Sequence, residues 1–329
     1  MDKIAIIAGE SVIYWNSIIL TLAAATAICF FLALYIGRCG NAVAGFAAVP
    51  LSIVCGIVLA RFVHWYSRAD SYDGFMAAMT DYTSGGYALL GVFAGCILTA
   101  VVLRILFLNR NLPEMLDCMS IAGLAGIAVG RLASFFNASD RGNILENIHS
   151  LPLAWPVTNT VSGAQEYRLA TFVFQSAVAL VLFVVLVLFY TNKKHRPKDG
   201  DAFLLFLLIY GASQVVLDST RYDSLFFRSN GFVSIVQVFS AVALGFAIIV
   251  FSVRMVKERG FRFWMVPLWL LIAGFIGGAG FMEYYVQRRG NEAVFAYSVM
   301  TGCLAVVIVM TLLVRLLGVS RKQKGRFQK

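Results

Sequence analysis

Charge is scarce in this chain. Of its 329 residues only 13% are Asp, Glu, Lys or Arg, and three are histidine. An ordinary soluble domain carries about 25% charged residues, so that class is excluded. Six cysteines are scattered through apolar segments or at their edges: Cys29, Cys39, Cys55, Cys96, Cys118 and Cys303. They show no paired spacing and no CxxC, and read as small buried hydrophobes rather than a disulfide or metal framework. His64, His149 and His195 are far apart and form no HExxH, so no metal site is expected.

What is present is apolar length: 60% of the residues are hydrophobic. About 20 such residues cross a hydrocarbon core. Nine stretches qualify, near 12–35, 43–63, 85–106, 116–136, 169–190, 203–217, 232–253, 263–284 and 293–316. The expected fold is all-α, a polytopic integral membrane protein of about nine transmembrane helices. The first stretch lacks a basic leader and is too long for a signal-peptide core, so it is expected to be retained.

Nine helices put the termini on opposite sides. With the N-terminus out and the C-terminus in, most of the 27 Lys and Arg fall on inner segments, as the positive-inside rule demands. The net charge of +10 is thus a topology signal and does not suggest nucleic acid. The basic 321–326 run reads as a stop-transfer anchor that also suits anionic headgroups. Arg61, Arg131, Arg221 and Arg228 break the bias by sitting at outer helix ends. Snorkelling accounts for any one of them. Together they suggest an anion site facing the outer leaflet, because an Arg fork offers phosphate planar, bidentate hydrogen bonds.

Two outer connections are long. The 65–84 segment is expected to hold a short amphipathic helix, and 137–168 an ordered cap. The 193–201 link reads as a solvated turn. No strand-rich segment or internal repeat stands out. Gly85, Gly86, Gly91 and Gly95 are expected along the third helix, and Gly123, Gly126 and Gly130 along the fourth. Small residues there allow close helix packing, or room for a lipid. Glu283, at the end of the 263–284 stretch, and Arg288 and Arg289 beyond it are expected on the outer side, in a solvated loop or at a partner contact.

The most informative stretch is 130–142, Gly-Arg-Leu-Ala-Ser-Phe-Phe-Asn-Ala-Ser-Asp-Arg-Gly. An arginine at a membrane helix centre costs about 2.5–3.5 kcal/mol on insertion scales. Arg131 therefore needs an anion. Protein partners are Asp140 or Asp218; the alternatives are lipid and substrate.

Several ordered blocks carry a resemblance. They are Ile13-Tyr14-Trp15-Asn16-Ser17, Gly56 to Arg61, Gly85 to Gly91, then Leu112-Pro113 and Asp117. Gly130-Arg131-Leu132, Phe135-Phe136-Asn137 and Gly142 follow, and then Tyr210-Gly211-Ala212, Asp218, Arg221 and Gln237. In order and spacing the chain resembles the prolipoprotein diacylglyceryl transferase family of bacterial inner-membrane enzymes, over about residues 10–256. The resemblance implies a seven-helix core at 1–256, with the cap loop 137–168, and two extra helices plus a basic tail at 257–329. The chain departs from the family at Leu90, Ser134, Ser139, Leu169, Gln175 and Gln214, where the family has histidine, asparagine, glutamate, histidine, glutamate and arginine. Asp218 stands for a glutamate.

The implied reaction moves a diacylglyceryl group from phosphatidylglycerol to the lipobox cysteine thiol of a lipoprotein precursor. It needs no cofactor. Phosphatidylglycerol, lipoprotein precursors and membrane lipids are the implied partners. The implied place is the bacterial inner membrane, with a site facing the outer leaflet. Arg131 and Asp218 are the catalytic candidates: Arg131 for the phosphate, Asp218 to accept a proton or orient an arginine. Arg61, Asn137, Asp140, Gly142, Tyr210 and Arg221 join Arg131 as substrate-binding candidates. Gly142 is read as permitting a turn, Gln237 as a helix–helix hydrogen bond, and His149 as an unfixed base in the cap. Two other classes stay open: a relative that binds phospholipid or precursor without transfer, and a membrane transporter.

Overall fold

The computed structural model of the protein describes residues 4–8, 11–81, 85–109, 111–137, 139–159, 162–192, 197–227, 230–288 and 292–318. Arg228, Arg289, the 193–196 part of the link with His195, and the 321–326 run lie outside them. Lipid offers no partner to a bare N–H or C=O, so apolar stretches of this length satisfy their backbone internally as helices. They form α1 (Trp15–Cys39), α2 (Ala42–Ser67), the short α3 (Phe75–Thr80), α4 (Leu89–Ile105) and α5 (Leu112–Gly130). The series continues with α6 (Thr171–Thr191), α7 (Asp201–Ser219), α8 (Ile235–Arg259), α9 (Met265–Arg288) and α10 (Ala293–Leu317). Among the described residues eight helices are long and apolar enough to cross a membrane, α5 counting with the 3-10 turn Arg131–Phe135 that extends it. The 17-residue α4 is apolar and shorter. The protein is a multi-pass membrane protein, and the all-α expectation holds.

Three two-stranded hairpins are the departure from that expectation. They are β1 (Ile4–Ala8) with β2 (Ser11–Tyr14), β3 (Ala154–Thr158) with β4 (Gln165–Leu169), and β5 (Phe226–Phe227) with β6 (Asn230–Ser234). Strands of five residues or fewer are too short for their period to show beside long apolar runs. Their placement has a physical logic. β2 runs directly into α1 and β6 into α8, while β4 ends two residues before α6. Each hairpin pairs backbone that has no helical partner yet, just before the chain turns into a span. The 65–84 segment does hold the short helix α3, after a 3-10 turn at Ala69–Ser71.

By packing, the chain divides into two compact units. One comprises Met1–Tyr190, Pro197–Phe203 and Thr220–Val236; the other comprises Thr191–Arg196, Leu204–Ser219 and Gln237–Lys329. In the first, α1 packs on α5 and α2 on α4. Glycines set both distances. A Cβ on Gly126 would lie 3.0 Å from the Cβ of Ala27, and one on Gly95 only 2.6 Å from the Cα of Gly56. Gly91 likewise meets the backbone of Leu59 and Ala60. Gly85 and Gly86 are not on the helix. They precede α4 with left-handed φ angles of 67° and 84°, a conformation glycine adopts without penalty. Gly95→Val is therefore expected to force α2 and α4 apart, at about 1–3 kcal/mol as for other overpacked cores. Thermal unfolding in detergent measures it, and an unchanged midpoint would remove the packing role.

Asp117 of α5 caps α7 from a distance. Its carboxylate accepts the N–H groups of Gly200 and Phe203, each at 2.7 Å, among the donors a helix start leaves unsatisfied. Arg38 ties the same end of α1 to α5 through Glu114 at 2.9 Å and lies 3.9 Å over the Tyr190 ring. In the second unit α9 packs on α10. Glu283 is not in a loop: it lies inside α9 and is buried.

Candidate functional site

α5 cannot continue as an apolar helix past Gly130, because Arg131 and Ser134 follow. The chain tightens into the 3-10 turn Arg131–Phe135 and doubles back. Phe135 fastens the turn edge-on to Trp155 of β3 and Phe172 of α6, at 5.0 and 4.8 Å between ring centres. The return passes through Asp140, which takes a left-handed φ of 58°, uncommon for any residue but tolerated by Asp. Its backbone oxygen accepts the Phe172 N–H at 3.1 Å.

That turn aims the Asp140 carboxylate at two guanidiniums. Oδ1 lies 2.5 Å from Arg131 Nη1 and 2.8 Å from Arg221 Nη2. Oδ2 accepts the Ser134 hydroxyl at 3.1 Å. Arg221 is held again by Asp223, with Nε 3.0 Å from Oδ1, and Asp223 Oδ2 accepts the Asp140 N–H at 3.0 Å. Burial by itself would raise the Asp140 carboxyl. Arg131 and Arg221, helped by the Ser134 hydroxyl, outweigh it and bring the pKa down to about 2.

Gly142 is needed for space rather than for a turn. It bridges Arg221 backbone to backbone, and its N–H donates to Leu169 O at 2.8 Å. A Cβ there would sit 2.8 Å from the Thr220 carbonyl oxygen and 2.9 Å from Thr171 Oγ1. The turn expected of it is made two residues earlier, by Asp140 and its positive φ.

Arg141, absent from the sequence candidates, is the arginine with the most open buried donors among the described residues. It is 3% exposed. Its Nη2 donates to the carbonyls of Ser134 and Asn137 at 2.7 and 2.5 Å, and its guanidinium lies 5.5 Å from the Phe172 ring centre. Nε and Nη1 are buried and have no hydrogen-bond partner among the described residues. Burial pushes this guanidinium down to about 10. Two buried guanidinium donors of Arg141 thus stand open beside the Arg131–Asp140–Arg221 pairing. Open guanidinium donors of this kind suit an anionic oxygen. Asp223 was also missed. The available signal was an acid two residues after Arg221 and an Asp-Arg pair inside the 130–142 stretch.

The other candidates are placed as follows. Asn137 is exposed and contributes its carbonyl to Arg141. Arg61 is 3% exposed and makes a separate set of contacts. It donates to the carbonyls of Ala78 at 2.6 Å, Asp81 at 2.5 Å and Gly86 at 2.9 Å, and to that of Gly85. It also stands 5.2 and 5.4 Å from the ring centres of Tyr72 and Tyr87. These contacts clamp the 78–86 connection onto α2. Tyr210 and Asp218 lie in the second unit, both buried on α7, where Tyr210 stacks on Phe206. Gln237 donates to Val215 O at 3.2 Å, the helix–helix bond expected of it. His149 sits edge-on to Tyr167, 4.5 Å between ring centres.

The chain's sequence, compared with known families, finds a match. The family model for prolipoprotein diacylglyceryl transferase matches residues 4–253. The chain belongs to this family. Three of its similar relatives are named phosphatidylglycerol–prolipoprotein diacylglyceryl transferase and come from Streptococcus pyogenes serotypes M3 (strain ATCC BAA-595 / MGAS315), M5 (strain Manfredo) and M49 (strain NZ131). Each is 27% identical over 222 residues, covering 66% of this chain and 79% of the relative. In this transferase-family chain the acid that meets the two arginines is Asp140, one place after Ser139. α9 and α10 begin beyond the last matched residue.

Proposed function

We propose that this protein transfers a diacylglyceryl group from phosphatidylglycerol to the lipobox cysteine thiol of prolipoproteins, in lipoprotein maturation. The observation that carries the reading at this site is the buried Arg141, with two N–H donors open beside the Arg131–Asp140–Arg221 pairing, within the residues the family model matches. A phosphodiester headgroup carries a negative charge on oxygens that can accept from those donors. As the thiol sulfur bonds to the glycerol carbon, the bond from that carbon to the phosphate oxygen breaks. Glycerol-1-phosphate leaves, and its phosphate passes from a singly to a doubly charged anion. Guanidiniums aimed at that growing charge favour the transition state over the ground state.

Arg131 and Arg221 bind the phosphate in this scheme, trading part of their hold on Asp140 for the incoming oxygens. Asn137 and Gly142 flank the headgroup in this scheme, and Arg61 keeps Ala78, Asp81, Gly85 and Gly86 beside α2. The thiol must lose its proton, because the thiolate is the nucleophile. Asp218 accepts it or orients an arginine. With the N-terminus outside, the cluster faces the outer leaflet of a bacterial inner membrane, where exported precursors arrive.

The test is reconstitution in phosphatidylglycerol vesicles with a lipobox-cysteine peptide, read by mass. The expected product is the peptide carrying a diacylglyceryl thioether. No product, with a known transferase working in parallel, overturns the catalytic reading. Lipid binding without product would then identify a non-transferring relative.

A further inference from the structure

α9 carries a buried carboxylate into the bundle. Glu283 is 8% exposed and lies five residues before the helix ends at Arg288. An ionisable group in a membrane helix is costly and persists where it has a task and a partner. Among the described residues Glu283 has no cation within ion-pair distance. Its bonds are to neutral donors. Gln287, one turn on, donates Nε2 to Oε1 at 3.0 Å. The Ser219 hydroxyl donates to Oε2 at 2.6 Å.

Ser219 is the last residue of α7 and follows Asp218 directly. It is held a second time. Tyr297 of α10 donates its hydroxyl to the Ser219 carbonyl at 3.1 Å. The last carbonyls of a helix have no partner within it, and an outside donor there stops the final turn from fraying. One residue is thus gripped by both extra helices, its hydroxyl by α9 and its carbonyl by α10. Two helices present only to lengthen the bundle would need apolar contacts alone.

We infer that the C-terminal helix pair is a positioning device for the acidic end of α7. Glu283 and Tyr297 are positioning residues: they fix Ser219 and thereby the direction in which Asp218 is presented. The inference rests on the proposed role of Asp218 in the transfer reaction. It gives a task to helices that lie outside the matched family region.

The full-length protein in phosphatidylglycerol vesicles tests it, with kcat and KM for the lipid measured in Ser219→Ala, Glu283→Ala, Glu283→Gln, Tyr297→Phe and the double variant Ser219→Ala with Glu283→Ala. Each alanine variant is expected to lower kcat about tenfold, the usual size for a hydrogen bond to a charged group, with KM unchanged. The double variant is expected to be no slower than either single one, because both remove the same bond. Glu283→Gln retains an acceptor oxygen and restores most of the rate. The acidic limb of the kcat–pH profile is expected to move in Ser219→Ala, which a purely structural bond would leave in place. Ordinary kcat and an unmoved pH profile in Ser219→Ala and Glu283→Ala overturn the inference, as do additive losses. Should Glu283→Ala fail to fold, Ser219→Ala and Tyr297→Phe carry the test: both are expected to lower kcat, and ordinary rates in both overturn the inference. Asp218→Asn separates the two levels. If it is inactive while the Ser219 and Glu283 variants are normal, only the positioning fails; if it is fully active, the role of Asp218 fails and the positioning with it.

Discussion

Asp140→Ala is expected to destabilise the protein by about 3–5 kcal/mol, the usual cost of breaking a buried ion pair from one side. The reason lies in what remains. Arg131 and Arg221 both point at Asp140 Oδ1, with side chains only 12% and 13% exposed. Without the carboxylate they are two like charges side by side. Asp223 still reaches Arg221 but not Arg131 among the ion pairs described. Backbone strain adds to the loss, since alanine tolerates the left-handed φ of 58° less well than Asp or Asn. Asp140→Asn keeps that tolerance and the volume, and so isolates the charge. Thermal unfolding in detergent, with and without added phosphatidylglycerol, measures both variants. The lipid is expected to rescue the variants more than the native protein, because its phosphate replaces the missing anion. Equal stabilisation of all three by the lipid would sink the phosphate site.

The same carboxylate predicts an acid limb. Its pKa falls from 3.8 to about 2 on folding. A depressed carboxyl contributes stability that is present above its unfolded pKa and lost as pH falls through the folded one. The window is therefore about pH 4 down to pH 2, and the contribution is on the order of 2 kcal/mol at about 1.4 kcal/mol per unit. Asp140→Asn removes that part of the acid limb.

Much of the scaffold was legible because the bilayer demands length and low charge. The stretch read at 263–284 became α9, and 293–316 became α10, with shifts of a few residues. The hairpins were hidden because pairing such as Ala154 with Leu169 is a contact between segments, not a period within one. The expense of Arg131 was visible, and Asp140 had been named as a possible partner. That Asp140 shares one oxygen between Arg131 and Arg221 was not visible, because it depends on the chain doubling back. Asp223 lies 83 positions from the Asp140 N–H that it accepts. No local pattern marks such a bond. Gly142 shows the same limit: a glycine needed for a turn and one needed for room look identical until the neighbours, Leu169, Thr171 and Thr220, are known. Glu283 was misread because a lone acid near the end of an apolar run resembles a loop residue. Its burial depends on Ser219, from another helix.

Arg131→Gln is expected to lower kcat by about 10²–10³-fold, the range seen when one donor to a developing oxyanion is removed. The charge on the departing phosphate grows only as the carbon–oxygen bond breaks, so kcat should fall far more than KM for the lipid rises. Arg131→Lys keeps the charge but not the planar fork, and should recover little. Arg221→Gln is expected to lose a similar factor, for a reason the geometry makes specific. Arg131 and Arg221 share one oxygen of Asp140, so either loss loosens the other. The double variant should therefore fall short of the product of the single losses, as for residues in one network. Initial rates of peptide diacylglyceryl formation in phosphatidylglycerol vesicles supply all the values. A single Arg131→Gln that keeps its rate within about twofold, a change worth only about 0.4 kcal/mol, would leave Arg131 as a structural ion pair with Asp140 and nothing more.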